Sequence, residues 1–357
     1  MDRILILSRQ DYHVPRAVAG AIHAAVRARG WEPVPGEPWL TPEAALAQAP
    51  FAGVIAHVDR PSMLRAVRRS RLPAINVSAW PAAVARLPSV LTDEAAVGTA
   101  AARALAEWGL RPTATIGAAD AYAQARCAAF AAEHRRLGGA DPFQYTIEPG
   151  QRQQRLVRWL ARLPRPFDCF IYADYLAPRL VDALHAAGLS VGRDLRLIGA
   201  DGDGDACATV SPRLSTVAID AAAIGAAAVA ALAELRAGGR PRLVRIAPAG
   251  VLRHGSAERW HSDHPLIARA IAAWEADPRL SAADAGRACG CSRATIERTF
   301  RRVLGRTPAQ VRRTIRDERL AQAVARAPTL RQAAARVGYR SLRGLTDALA
   351  RARARRG

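Results

Sequence analysis

Lysine does not occur among the 357 residues, so all 52 basic side chains are arginines. A phosphate loop of the Gly-Lys-Ser/Thr type, whose lysine reaches the phosphates, is thereby excluded. No Gly-x-Gly-x-x-Gly follows the first apolar run, which disfavours the usual dinucleotide fingerprint. That run, 4–7, holds only four consecutive apolar residues, and no small-residue cleavage site follows it, so no secretory leader is expected. The most apolar stretch, 221–235, is alanine-dominated, short of a bilayer span and interrupted by Glu234, so no membrane helix is expected and a cytoplasmic location is the expectation.

Cysteine is scarce as well. Cys127, Cys169, Cys207, Cys289 and Cys291 are scattered, which fits a reducing compartment better than a disulfide framework. Cys289 and Cys291 have no second pair nearby, so no metal site is expected. Asp201, Asp203 and Asp205 alternate like the opening of a calcium loop, but Ala206 replaces the required glycine and Pro212 the closing glutamate. His13, His57, His134 and His185 stand in no recognisable nucleophile–base setting. An enzyme is therefore not the expected class and no cofactor is expected; an α/β enzyme or solute-binding protein acting on a small polar metabolite is the alternative.

What the sequence does have is length enough for two cores and a formal charge of +21, which concentrates polyanions at the surface. The charge is uneven. Residues 264–357 carry 21 Arg against 7 Asp and Glu, 21 − 7 = +14, whereas residues 1–263 carry 31 against 24, 31 − 24 = +7. Through the first 250 or so residues, β-type runs at 3–7, 53–58, 74–78, 90–92, 113–117, 143–147, 169–173 and 195–200 alternate with helical stretches at 14–29, 94–108, 121–137, 152–163 and 176–187. Such alternation predicts a parallel sheet with helices on both faces. A helix to 236 and short runs at 243–247 and 250–253 complete the region. The polar segment 254–263 reads as a linker, dividing the chain into 1–255, a connector 256–263 and an all-helical 264–357.

In the helical part, Ser281-Ala-Ala-Asp284 opens a helix that ends before Gly290, and Ser292 caps the next, 292–304. Helix, glycine-containing turn and helix is the helix-turn-helix plan, whose second helix enters the major groove. Leu280, Ala285, Ala288, Ile296 and Phe300 are placed to join the helices, leaving Arg293, Ala294, Glu297, Arg298 and Arg301 outward. Arginine can pair bidentately with guanine and glutamate can accept from cytosine. A second unit follows at 329–353, with Thr329 and Ser341 as caps and Gly338-Tyr339 at the turn.

Residues 264–353 resemble AraC-type DNA-binding domains, carried by CSRATIERTFRRVLGRTPAQVRRTIRDERLAQA and AAARVGYRSLRGLTDAL. The resemblance implies base contacts from Ala294, Glu297 and Arg298 in the first unit and Leu342, Arg343 and Asp347 in the second. The second unit departs from the pattern: Leu349 replaces Phe, Gly344 weakens its helix by roughly 1 kcal/mol, and Asp347 repels phosphates.

Residues 3–255 resemble the two-lobed periplasmic-binding-protein-like sensors of lactose-repressor-type regulators. The resemblance rests on Val90-Leu-Thr-Asp93 with Ala96-Val97-Gly98, on Leu197-Ile-Gly-Ala-Asp201, on 211–217 as SPRLSTV, and on PAINVS at 73–78. A sensor of this kind ahead of an AraC-type tail is similar to the xylose-operon regulator type. It implies a small sugar between the lobes, with Asp201, Asp174 and Arg126 as contacts, Ser8 and Tyr12 from the first lobe, and Trp80 stacking on a sugar face. Carboxylates and arginine suit a sugar, whose hydroxyls both donate and accept. Double-stranded DNA, a sugar effector and a second copy of the chain are the implied partners, with RNA polymerase as an additional candidate; activation and repression both stay open.

Overall fold

The computed structural model describes residues 1–257, apart from Gln10, Pro38, Trp39, Trp108 and Arg193, and residues 264–316, apart from Pro278, Gly305, Arg306 and Thr314, together with Gln332. The strands of the described residues are β1 Arg3–Leu7, β2 Glu32–Pro35, β3 Gly53–Ala56, β4 Ala74–Asn76, β5 Val90–Thr92, β6 Thr113–Ala118, β7 Phe143–Ile147, β8 Phe167–Ile171, β9 Leu195–Asp201, β10 Ser215–Ala218, β11 Val244–Ile246 and β12 Gly250–Leu252. They form a four-stranded parallel sheet of order β2-β1-β3-β4 and a six-stranded sheet of order β12-β10-β9-β8-β6-β7, in which only β12 runs antiparallel.

Each sheet anchors a lobe. The chain leaves the first lobe after β5 and returns after β10 to lay helix Ala221–Arg236 beside helix His13–Ala28, where Ile22, Ile224 and Leu232 share one core with Ile4 of β1. It crosses again between β11, which pairs with β5, and β12, which pairs with β10. The expected parallel α/β architecture and the helical C-terminal region are both present. Strands buried on both faces read as unbroken apolar runs, as RILIL does in β1.

Three differences from the sequence reading have identifiable causes. The strand expected at 169–173 lies at Phe167–Ile171, because Asp168, which looks unfit for a strand interior, sits opposite Arg196 of β9. Both are buried, and the Arg196 Nε and Nη2 donate to the Asp168 carboxylate at 2.6 and 2.5 Å. Strand β2, EPVP, was masked by Pro33 and Pro35, and it lies at the sheet edge where proline is tolerated. Residues 256 and 257, expected in the connector, are buried: Ser256 Oγ accepts from the Ser215 amide at 2.7 Å and donates to the Leu197 carbonyl at 2.6 Å.

Helices Glu94–Ala106 and Ala121–Arg136 touch backbone to backbone at Gly98, where a Cβ would lie 2.0 Å from the Arg126 carbonyl oxygen and 2.8 Å from the Phe130 nitrogen. Only glycine permits that approach, and it joins the two helices that carry Glu94 and Arg126.

Beyond the connector, helices Pro265–Ala276, Ala282–Ala288 and Arg293–Leu304 pack around Trp274, Ile296 and Phe300, with the Trp274 and Phe300 rings edge-on at 5.6 Å. Ser281 and Asp284 form a capping box, and Ser292 Oγ accepts from the Thr295 amide at 3.1 Å. Gly290, at φ 71, supplies the left-handed turn between the last two helices. Ala285, Ile296 and Phe300 are interior as expected and Leu280 packs against the same core, but Ala288 is exposed, and Gly286 faces inward in its place.

Candidate functional site

The parallel strands of both lobes aim their carboxyl ends at one cleft of about 420 Å³, a size and position typical of small-molecule sites in such sheets. The segment after β1 brings Arg9, Tyr12 and His13, that after β3 brings His57 and Asp59, and that after β4 brings Ser78 and Trp80. From the second lobe come Asp120 and Tyr122 after β6, Tyr175 after β8, and Asp201 and Asp203 at the end of β9.

At the floor stands Arg126, 3% exposed. Its Nε donates to Glu94 Oε2 at 2.5 Å, and its Nη1 donates to Asp201 Oδ1 at 2.8 Å and to the Tyr172 carbonyl at 2.6 Å. Burial alone would lower the guanidinium's pKa, but Asp201 and Glu94 outweigh it and the group is held charged. Burial pushes both carboxyls up from their ordinary range while Arg126 opposes the rise. The ring of Tyr122, one helical turn before Arg126, lies 5.4 Å from its guanidinium.

Asp201 occupies φ 117, a conformation rare outside glycine, and Gly202 follows at φ 77. Asp174 holds that turn. It lies beneath the cleft, fully buried, with one carboxylate oxygen accepting from the amides of Gly202 at 2.9 Å and Asp203 at 3.0 Å and from Thr216 Oγ1 at 2.7 Å. Burial first, and then the charge of Asp201, push its pKa up to about 8.

Of the residues expected from sequence, Asp201, Arg126, Tyr12 and Trp80 thus line the cleft together, whereas Asp174 and Ser8 do not. Ser8 Oγ donates to the Pro15 carbonyl at 3.0 Å and fastens the start of helix His13–Ala28. Two contacts already span the cleft. Tyr12 meets Tyr175 edge-on at 5.7 Å, and His13 Nδ1 lies 3.8 Å from Asp203 Oδ1.

Sequence reasoning missed Glu94, Arg9, Tyr122 and Tyr175. The i, i+4 spacing of Tyr122 and Arg126 on a helix was a usable signal for one of them; Glu94 gave none, because its partner is 32 residues away. Among the described residues, no group of three His, Cys, Asp or Glu side chains is arranged to hold a metal ion, and no helix is long and apolar enough to cross a membrane.

The second surface is helix Arg293–Leu304. Arg293, Ala294, Arg298 and Arg301 are exposed, and Glu297, half-buried, accepts from Arg293 Nε at 3.0 Å. Leu342, Arg343 and Asp347 lie outside the described residues.

Residues 88–256 match the periplasmic binding protein-like domain family and residues 286–354 match a helix-turn-helix domain family. No curated protein matches the sequence. Similar solved structures include the xylose-binding transcription activator XylR, 20% identical, with 98% of this chain and 95% of that one covered and a TM-score of 0.64. The lac repressor dimer bound to operator and the anti-inducer ONPF is 17% identical, with 71% and 93% covered and a TM-score of 0.56. A periplasmic binding protein/LacI transcriptional regulator from Alkaliphilus metalliredigens, complexed with D-xylulofuranose, is 14% identical, with 71% and 98% covered and a TM-score of 0.55.

Proposed function

We propose, from the premise that this chain joins a periplasmic-binding-protein-like domain to a helix-turn-helix domain, that it is a transcription regulator whose grip on duplex DNA is set by a small sugar in the cleft, xylose or another pentose. The observation that carries the reading is one chain holding both an aromatic-lined, carboxylate-rich cleft at strand carboxyl ends and a capped helix-turn-helix with outward arginines. The fold likeness to XylR extends over both parts.

In this reading Asp201 and Glu94 accept from sugar hydroxyls, Arg126 donates, and Tyr12, Trp80, Tyr122 and Tyr175 cover the apolar faces of the ring. Asp174 and Ser8 act one step back, by holding the loops that carry Asp201 and Tyr12. A ligand bridging the lobes favours the closed arrangement by its difference in affinity for the two states, and that difference is all it can pass to the DNA reader. Arg298 and the flanking Arg293 and Arg301 contact guanine or phosphates, Ala294 and Glu297 the neighbouring base edges. A homodimer on adjacent half-sites, a cytoplasmic location and contact with RNA polymerase complete the proposal.

Thermal melting against a panel of pentoses and hexoses tests it. The effector, at a hundredfold over its dissociation constant, should stabilise the protein by about 2.7 kcal/mol and change its affinity for DNA in a gel-shift series. A panel in which no sugar moves either the melt or the shift defeats the sensing half.

A further inference from the structure

We infer that the first lobe carries a second, sequence-independent contact for duplex DNA, on the arginine-rimmed depression beside helix Pro61–Arg69; the inference rests on the DNA-binding reading above. Met63, Leu64, Ala66 and Val67 are the buried face of this helix. Its outer face carries Arg65, Arg68 and Arg69, which at i, i+3 and i+4 are surface neighbours, and no acidic residue occupies its first turn. Arg86, past the end of helix Pro81–Val84, joins them around an open depression of about 580 Å³ floored by Leu64, Trp80 and Ala82.

Among the described residues these four arginines take part in no ion pair, and Arg86 only donates to the Ala82 carbonyl of its own turn at 3.3 Å. On the second lobe Arg135 faces Asp141 at 2.6 Å, Arg155 faces Glu148 at 3.3 Å and Arg253 faces Glu107 at 2.7 Å, while Arg158 and Arg162 stand exposed without such a partner among the described residues. The first-lobe cluster is set apart by the convergence of four arginines on one depression. Like charges one turn apart on a helix repel, so the cluster weighs against folding unless a partner brings the counter-charge.

The exposure of the cluster says which partner. Each exposed ion pair with a small anion contributes little, and among the described residues no buried polar side chain lines the depression to orient one. A polyelectrolyte is different, since every neutralised phosphate releases condensed counterions and exposed contacts then add. A flexible acidic peptide must be ordered on binding, whereas duplex DNA presents its phosphates already fixed, and at high local concentration once the reader is docked.

The test uses the full chain and a duplex selected by the protein from a random pool, prepared with and without flanking sequence. Combining Arg65→Gln, Arg68→Gln and Arg69→Gln should reduce the slope of log affinity against log salt by about 2–3 on the flanked duplex, and leave it unchanged on the trimmed one. Arg135→Gln with Arg155→Gln, on the second lobe, should leave both slopes at the parent's values. An unchanged slope for the triple variant on the flanked duplex overturns the inference. If the triple variant instead loses binding to a polyglutamate peptide, the surface belongs to an acidic protein. A parent protein that selects no duplex at all defeats the DNA-binding reading itself, which separates the two failures.

Discussion

In the cleft, Arg126 is 3% exposed and spends its guanidinium on two carboxylates and a carbonyl of its own chain, whereas on helix Arg293–Leu304 the side chains of Arg298 and Arg301 stand in solvent. The difference follows from where the counter-charge is. A buried charge without a partner is costly enough that the fold must supply one, and Glu94 and Asp201 do. On helix Arg293–Leu304 Glu297 meets Arg293, but among the described residues Arg298 and Arg301 have no such partner, and in the proposed function the phosphates and base edges that complete them arrive with the DNA. The cleft is therefore built for geometry, the helix for capture.

Removing one guanidinium from each region should separate these roles. Arg126→Ala strands Glu94 and Asp201 in the interior and should lower the stability of the α/β domain by about 3–5 kcal/mol in thermal or denaturant melts. A loss under about 1 kcal/mol would mean that the cleft tolerates separated charge as the surface does, and the contrast would go. A second measure of burial is titration. The Asp174 carboxyl ionises at about 8 in the folded protein against an ordinary 3.8. Between those values the unfolded chain has released this proton while the folded one keeps it, so stability should fall as pH rises through the window, by up to about 1.4 kcal/mol per pH unit. The decline should end above the folded value. Asp174→Asn should flatten that decline, and superimposable pH profiles for parent and variant would contradict the assignment. The smallest effect on folding is expected in the reader: Arg298→Ala should shift stability by no more than about 0.5 kcal/mol. It should nonetheless weaken DNA binding by about 1–3 kcal/mol in a gel-shift titration. Equal affinities for parent and variant would remove helix Arg293–Leu304 from base readout.

Legibility in the sequence followed the range of the interaction. The capping box at Ser281, the Gly290 turn and the outward arginines depend on residues within a few positions of each other, and the helices lie where the pattern places them. Ala288 was the exception: the close approach of Gly286 to the turn, where a Cβ would lie 3.2 Å from the Cys291 carbonyl, leaves alanine on the outside. In the α/β region, β1, β5 and β7 fall at the residues their apolar patterns mark. The strand with Asp168 was displaced, since the charge that neutralises it is on another strand. Asp201 and Arg126 came only from the family resemblance, carried over position by position, and no local pattern marked them for the cleft. Glu94, at the first turn of its helix, looked like an ordinary helix-start acid favoured by the dipole, and only packing against Arg126 gives it another part.

Hydrophobic periodicity, caps and charge balance, all local properties of the chain, were enough to divide this protein into an α/β region and a basic helical one and to put arginines on the outward face of a capped helix. Which polar residues share a cleft was decided by the tertiary structure. Arg126, Glu94 and Asp201 come from distant segments, and they meet because Gly98 lets two helices touch and because Asp174 holds the turn at Asp201 from below. No pattern in one dimension encodes such a meeting, since its energy exists only once the backbone has brought buried charges within hydrogen-bonding distance.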